Sequence, residues 1–152
     1  MIHIHGDGGH AKVVKDVMSF GYSYVENCVF VAVGDNKARK SEVEKAEGKK
    51  FLILSHPSAI VAAGTSIGVG TIIMAGAIVQ PGCKIGKHVI LNTNCSVDHD
   101  CEIGDFAHIA PGAVLCGGVK VGEGVLVGAG AVCVPGAVIP PWSLVKAGSV
   151  AK

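Results

Sequence analysis

Two stretches of this chain hold residue types able to do chemistry. One is His99-Asp100, an imidazole followed directly by a carboxylate; an imidazole, with a reference pKa of about 6.5, takes or gives a proton near neutral pH. The other is Gly6-Asp7-Gly8-Gly9-His10, which lies between a short strand candidate, Ile2–His5, and a helix candidate, Ala11–Phe20. Glycines at such a turn let phosphate oxygens approach the backbone, and the helix N-terminus offers free N–H groups. A third glycine at the dinucleotide spacing is missing, and no acidic residue follows a second strand near position 30, so NAD binding is disfavoured. From these residues alone, a tight turn without a ligand stays an open alternative. The six cysteines include no C-x-x-C pair, which removes zinc-site spacing.

The elements that must position these residues are set by a repeat. From Val61 to Val150 the chain divides into 15 hexads without insertion, and the first position is apolar in all 15, from Val61, Ile67 and Ile73 to Ile139 and Val145. The fifth position is small or β-branched throughout, and the fourth is Gly in ten of 15 hexads, with His88, Asn94, Asp100, Phe106 and Trp142 as exceptions. A helix at 3.6 residues per turn scatters a six-residue period around its surface, and each Gly costs it about 1 kcal/mol relative to Ala. Short strands joined by glycine corners fit instead: the first residue points inward, the small fifth fits a tight interior, and Gly takes the corner. Cys83, Cys95 and Cys101 fall at the small fifth position and Cys133 at the inward first, so they read as buried small hydrophobes. His99-Asp100 sits at a corner, where the repeat otherwise favours small residues.

The segment before the repeat reads differently. Ala11–Phe20 carries Val13, Val14, Val17 and Met18 on one face with Gly21 as a C-cap, and Cys28–Val33 is an apolar run of buried-strand type. Asp35 or Asn36 caps a charged helix over Lys37–Glu47, and Phe51–Leu54 is a third strand candidate. Strand–helix–strand–helix–strand predicts a small parallel sheet of Rossmann type.

Composition narrows the function classes. With 152 residues, 49% hydrophobic, 16% charged and a formal net charge of +1, the chain is neither disordered nor basic enough for a nucleic-acid binder. No apolar run is long enough to cross a bilayer and no secretion signal is visible, so a cytoplasmic protein is expected. Gly numbers 22 and aromatics make up only 5%, so the core must bury Val, Ile, Ala and Cys in a regular way.

The hexads resemble the left-handed parallel β-helix of the hexapeptide-repeat acyltransferases, in which three hexads close one triangular coil. Taken whole, the chain is similar to the bacterial nucleotide-sugar N-acetyltransferases that acetylate a UDP-4-amino-sugar, and to their relatives the sialic-acid O-acetyltransferases. The similarity rests on Gly6-Asp7-Gly8-Gly9-His10-Ala11, Val31-Ala32-Val33-Gly34-Asp35-Asn36, His56-Pro57-Ser58-Ala59, and the run Leu91-Asn92-Thr93-Asn94-Cys95-Ser96-Val97-Asp98-His99-Asp100-Cys101-Glu102-Ile103-Gly104. Phe106-Ala107-His108-Ile109 and Leu115-Cys116-Gly117-Gly118-Val119 continue it.

The resemblance implies a left-handed β-helix domain over residues 57–152 of five coils, and a small α/β Rossmann-like nucleotide-sugar-binding domain over 1–56. It implies an acetyl-CoA-dependent sugar N-acetyltransferase with direct transfer, acting on a UDP-linked 4-amino-sugar in surface-glycan synthesis, without a metal and as a homotrimer with sites between subunits. His99 would be the general base and Asp100 the carboxylate that raises its basicity; Gly117, 18 residues on, would offer its N–H to the acetyl carbonyl. His108 would contact acetyl-CoA, the backbones of Ala129 and Ala147 would meet the pantetheine arm, and Gly8, Gly9, His10 and Gly34 would hold the nucleotide-sugar. Two departures stand out: the chain between Tyr24 and Val29 is too short for a second strand–helix unit, and the carboxyl end stops before a further closing strand. O-acetylation of a sugar hydroxyl and a non-catalytic nucleotide-sugar scaffold are the competing readings. A carbonic-anhydrase-like zinc site is disfavoured, since no two of His88, His99 and His108 are separated by a multiple of 18.

Overall fold

The computed structural model describes residues 3–21 and 28–152; Ile2 and residues 24–27, on which the start of the first strand and the short connection were read, lie outside them. The chain opens with β1 (His3–His5), α1 (Gly9–Ser19), β2 (Cys28–Val31), α2 (Asn36–Lys45) and β3 (Lys50–Phe51). The three strands form a parallel sheet in the order β1-β2-β3. The Asp35 carboxylate accepts the Ala38 N–H at 2.8 Å and so caps α2. The strand expected over Phe51–Leu54 is split between two sheets: β3 completes the first, and β4 (Leu54–Ser55) begins the solenoid. Its apolar run spans two destinations, which hydropathy alone does not separate. The strand expected to reach Val33 ends at Val31, and α2 is shorter than the charged run.

From β4 to β20 (Val150–Ala151) every strand has two residues, and the chain winds as a parallel β-solenoid with faces of six, six and five strands. Each strand pairs with the strand 18 residues away, as Ile90 with His108 and Ser96 with Val114. The solenoid therefore starts one strand before the hexad count from Val61. Call the face of Leu54, Ile72, Ile90 and His108 the first, that of Ile60 and Ser96 the second, and that of Ser66 and Glu102 the third. First- and fifth-position side chains fill one continuous core, from Ile73 and Ala77 to Ile139 and Val145. Cys83, Cys95, Cys101 and Cys133 belong to it.

The fourth-position glycines turn the corners at φ between 64 and 81°, the left-handed region where Gly has no Cβ penalty. His88, Asn94, Asp100, Phe106 and Trp142 hold the same corner at φ 54–60°. A second ladder, at the second position, was not read from the sequence. A Cβ on Gly68, Gly86, Gly104 or Gly122 would lie 2.5–2.7 Å from backbone of the next coil, so this vertex closes only without side chains there.

The N-terminal segment is fixed to the first face and to the vertex between the third and first faces. Ala11, Val14 and Val17 of α1 join Phe30 and Ala32 in a core with Leu54, Ile72, Met74 and Ile90, which point outward from the solenoid. Arg39, 1% exposed, spans the junction. Its guanidinium donates to the carbonyls of His88 (2.9 Å), Val33 and Gly34 (3.0 Å each) and Phe106 (2.6 Å), and to Asn36 Oδ1 (2.8 Å). Asn36 donates onward to the Gly124 and Val125 carbonyls. Beside them the His88 and Phe106 rings stack at 5.2 Å, and the Lys40 ammonium lies over Phe106 and Trp142 while pairing with Glu123. Among the described residues no helix is long and apolar enough to cross a membrane.

An Arg39→Ala variant leaves buried carbonyls on both sides of the junction without a donor. We expect it to destabilise the protein by at least about 2 kcal/mol in urea unfolding. The helical circular-dichroism signal should be lost ahead of the β signal. Arg39→Lys should recover only part, since an ammonium cannot reproduce the guanidinium fork.

Candidate functional site

The corner after Val97 is organised by three consecutive side chains. Asp98 Oδ1 accepts the His99 backbone N–H at 2.8 Å, and His99 Nδ1 lies 2.9 Å from Asp100 Oδ2. Asp100 holds φ +60°, so a residue with a Cβ is kept in the left-handed region where its carboxylate meets the imidazole. The hydrogen bond to Asp100 first, and the negative field of Asp98 second, raise the His99 pKa above its ordinary value. With Nδ1 donating to the carboxylate, Nε2 carries the lone pair. The side chains are 62% and 72% exposed, at the vertex between the second and third faces.

In the next coil Gly117 lies above His99, and the Gly118 N–H donates to the His99 carbonyl at 2.9 Å. Among the described residues the Gly117 N–H has no acceptor. A proton acceptor and an unengaged backbone donor therefore stand side by side, the two groups an acyl transfer requires. Ala129 and Ala147 stack at the vertex between the first and second faces, where the Ala129 carbonyl accepts the Gly148 N–H at 2.9 Å. Within one chain they are not brought to His99.

His108 stands on the first face, under the N-terminal segment. Its Nε2 lies 3.0 Å from the Asn92 amide nitrogen, and the Gly34 backbone lies beside the ring. Burial first, then the positive field of Arg39 and the neighbouring His10, push its pKa down to about 4. His10 is lowered to about 4 as well, by burial and then by Arg39. The His10 Nε2 is buried with no hydrogen-bond partner among the described residues. Gly6, Asp7, Gly8, Gly9, His10 and Gly34 line a 380 Å³ cavity at the start of α1, whose N-cap, Gly8, makes no side-chain cap. Gly8, Gly9, His10 and Gly34 thus come together, and His108 joins this group, not the His99 corner.

Burial pushes the Cys95 thiol up to about 12 and Cys101 up to about 11, away from thiolate chemistry. Among the described residues no group of three His, Cys, Asp or Glu side chains could hold a metal ion. Sequence reading missed Asp98, Asn92 and Arg39. Asp98 and Asn92 did leave a signal: each is a polar second-position residue whose carbonyl or carboxylate oxygen takes the next N–H at 2.8 Å. Arg39 left none, because it lies in a charged helix that reads as solvated.

The parallel β-solenoid of hexads defines the class of scaffold, and comparison with known proteins gives its family. The model of the bacterial transferase hexapeptide (six repeats) matches residues 82–117 and 100–135. No curated protein sequence matches the chain. Among solved structures, PerB from Caulobacter crescentus, in complex with CoA and GDP-perosamine, is 33% identical, with 99% of this chain and 88% of that chain covered and a TM-score of 0.94. The acetyltransferase domain of PglB from Neisseria gonorrhoeae FA1090 is 31% identical over 99% and 90%, with a TM-score of 0.92. The same domain in complex with acetyl coenzyme A is 32% identical over 97% and 88%, at 0.91. The chain belongs to the hexapeptide-repeat nucleotide-sugar N-acetyltransferases, and is an acyltransferase.

His10, His88 and His108 all have pKa values lowered to about 4, so each is neutral in the folded protein where the unfolded chain already binds a proton. The unfolded state then holds more protons between about pH 6.5 and 4, and stability falls as pH drops through that window. Calorimetry should give a lower unfolding temperature at pH 5 than at pH 7, with the difference reduced in a His108→Gln variant.

Proposed function

We propose that the protein transfers an acetyl group from acetyl-CoA to the amine of a nucleotide-linked 4-amino-sugar, with UDP as the carrier, as a cytoplasmic homotrimer. The observation that carries the reading is the His99–Asp100 pair at 2.9 Å beside the unengaged Gly117 N–H. The acceptor nitrogen attacks the thioester carbonyl carbon, a C–N bond forms, and the nitrogen's proton passes to His99 Nε2. Asp100 stabilises the imidazolium, and the Gly117 N–H holds the oxyanion of the tetrahedral intermediate. The C–S bond then breaks and the imidazolium returns its proton to the departing CoA sulfur. Relatives of the same fold bound to CoA and GDP-perosamine, and to acetyl coenzyme A, support both substrate classes.

On this reading residues 1–56 form a Rossmann-like nucleotide-sugar-binding domain and 57–152 a left-handed acyltransferase domain. Gly8, Gly9, His10 and Gly34 contact the nucleotide-sugar at the cavity before α1. Ala129 and Ala147 offer backbone to pantetheine, with His108 as a further acetyl-CoA contact. In one triangular coil the His99 vertex lies across from the first face, where that cavity sits. A complete site then requires a second copy, which supports the trimer.

The test is a panel of UDP- and GDP-linked amino-sugars, free amino-sugars and a sialic-acid hydroxyl acceptor, each with acetyl-CoA, followed by thiol release. Turnover is expected with a nucleotide-linked amine; turnover with none of them would favour a binding scaffold. His99→Ala should lower kcat by about 10²–10⁴-fold while acetyl-CoA still binds. Because the base acts when neutral and its pKa is raised, kcat/KM should fall on the acid side with a midpoint above the ordinary 6.5. Asp100→Asn should move that limb to lower pH. A flat acid limb would remove the base role.

A further inference from the structure

Gly117 differs from the other corner glycines. It occupies the third position of its hexad, which is Gly in one of the 15 hexads and elsewhere Ala, Val, Pro, Lys, Thr, His, Asp or Glu. The left-handed corner φ falls on the following residue, Gly118, at +70°, and Gly117 is not among the residues of positive φ. Its backbone thus accepts an L side chain, as the third positions of every other coil do. What fills the space is the imidazole from the coil below. A Cβ on Gly117 would lie 2.7 Å from both Nε2 and Cε1 of His99, closer than real Cβ atoms come, and 3.3 Å from Cδ2. On the other side of the pair, the Asp100 carboxylate lies over Gly82, the corner glycine of the preceding coil.

We infer that Gly117 is a positioning residue for the His99–Asp100 pair through the side chain it lacks, separately from any use of its N–H. The imidazole rests its Nε2 edge on the bare Gly117 backbone, and this seat lets Nδ1 reach Asp100 Oδ2 at 2.9 Å. Any Cβ pushes the ring off the seat. The ring is tethered at Nδ1, so moving the Nε2 edge breaks the bond to Asp100, and with it the main cause of the raised His99 pKa. The same seat holds Nε2 beside the Gly117 N–H, so one residue sets the spacing between proton acceptor and oxyanion donor.

The inference rests on His99 as the base, and the test separates the two. In the ligand-free protein, the NMR titration of His99 should shift to lower pH in G117A, since the hydrogen bond to Asp100 is lost while the field of Asp98 remains. The N–H remains in G117A, yet kcat should drop by about 10²-fold, as for a misplaced reacting group, with the KM for acetyl-CoA unchanged. The clashing atoms are the far end of an exposed side chain, so G117A should fold with a thermal midpoint near that of the unsubstituted protein, and the change should fall on the titration and the turnover. If G117A fails to fold, G117A/H99A must fold. An unchanged His99 titration in G117A, or failure of both variants to fold, would overturn the inference. If H99A keeps full turnover, the base reading falls, while the titration still decides whether the seat exists.

Discussion

The backbone ladder between coils is the constraint on which the rest depends. Each coil's strands donate to and accept from the strands 18 residues away, as in Ile90 N–H to Ala107 O at 3.0 Å and Asn92 N–H to Ile109 O at 2.9 Å. Two-residue strands have almost no stability of their own, so the turns between them must place each strand over its predecessor with no slip. A register error of one residue would send every first-position Val or Ile into water and expose the core. That demand explains an uninterrupted run of hexads and a core of small and β-branched side chains. It also makes any residue that breaks the corner rule conspicuous, because the corner itself does not require it.

Five corners break the rule with a non-glycine at positive φ, and they differ in what offsets the strain. His88, Phe106 and Trp142 share one vertex, where ring stacking, Lys40 and the Arg39 guanidinium hold α2 to the solenoid. Their corner residues serve assembly of the N-terminal segment. Asp100 faces water at another vertex, and its partner is the neighbouring imidazole. At the first vertex packing offsets the strain, whereas at Asp100 it accompanies an exposed hydrogen bond between carboxylate and imidazole.

How much of this was legible follows from the range of each interaction. The hexad, a local periodicity, pointed to short strands joined by glycine corners, whereas the 18-residue stacking and the placement of His99 beneath Gly117 came from the resemblance, since a six-residue period does not say how many hexads close a coil. The Asp35 cap and the helix it begins were legible for the same reason. What escaped depends on surfaces meeting across long sequence separations. Nothing around Arg39 distinguishes it from Lys37 or Lys40, yet it alone is buried, by carbonyls 49 and 67 residues away. That His108 neighbours His10 and Asn92 likewise depends on the packing of the N-terminal segment on the first face, which the hexads do not encode. The apolar stretch Phe51–Leu54 hid a change of sheet because both destinations bury the same residue types.

The exposure of the His99–Asp100 pair limits what it does alone. A histidine–carboxylate contact facing water is screened, and contributes little beyond orienting the ring. Covering that vertex changes the balance: as water leaves, the attraction between imidazolium and carboxylate strengthens, and an oxyanion near the Gly117 N–H loses its competing solvent partners. The parts that could cover it lie on other faces of the same solenoid: the cavity of Gly6 to Gly34 on the first, and the Ala129 and Ala147 column at the next vertex. On the proposed function, a neighbouring copy would bring them to that corner, so the exposed vertex and the distant cavity pose one physical requirement. Catalytic power would then depend on assembly as much as on the imidazole.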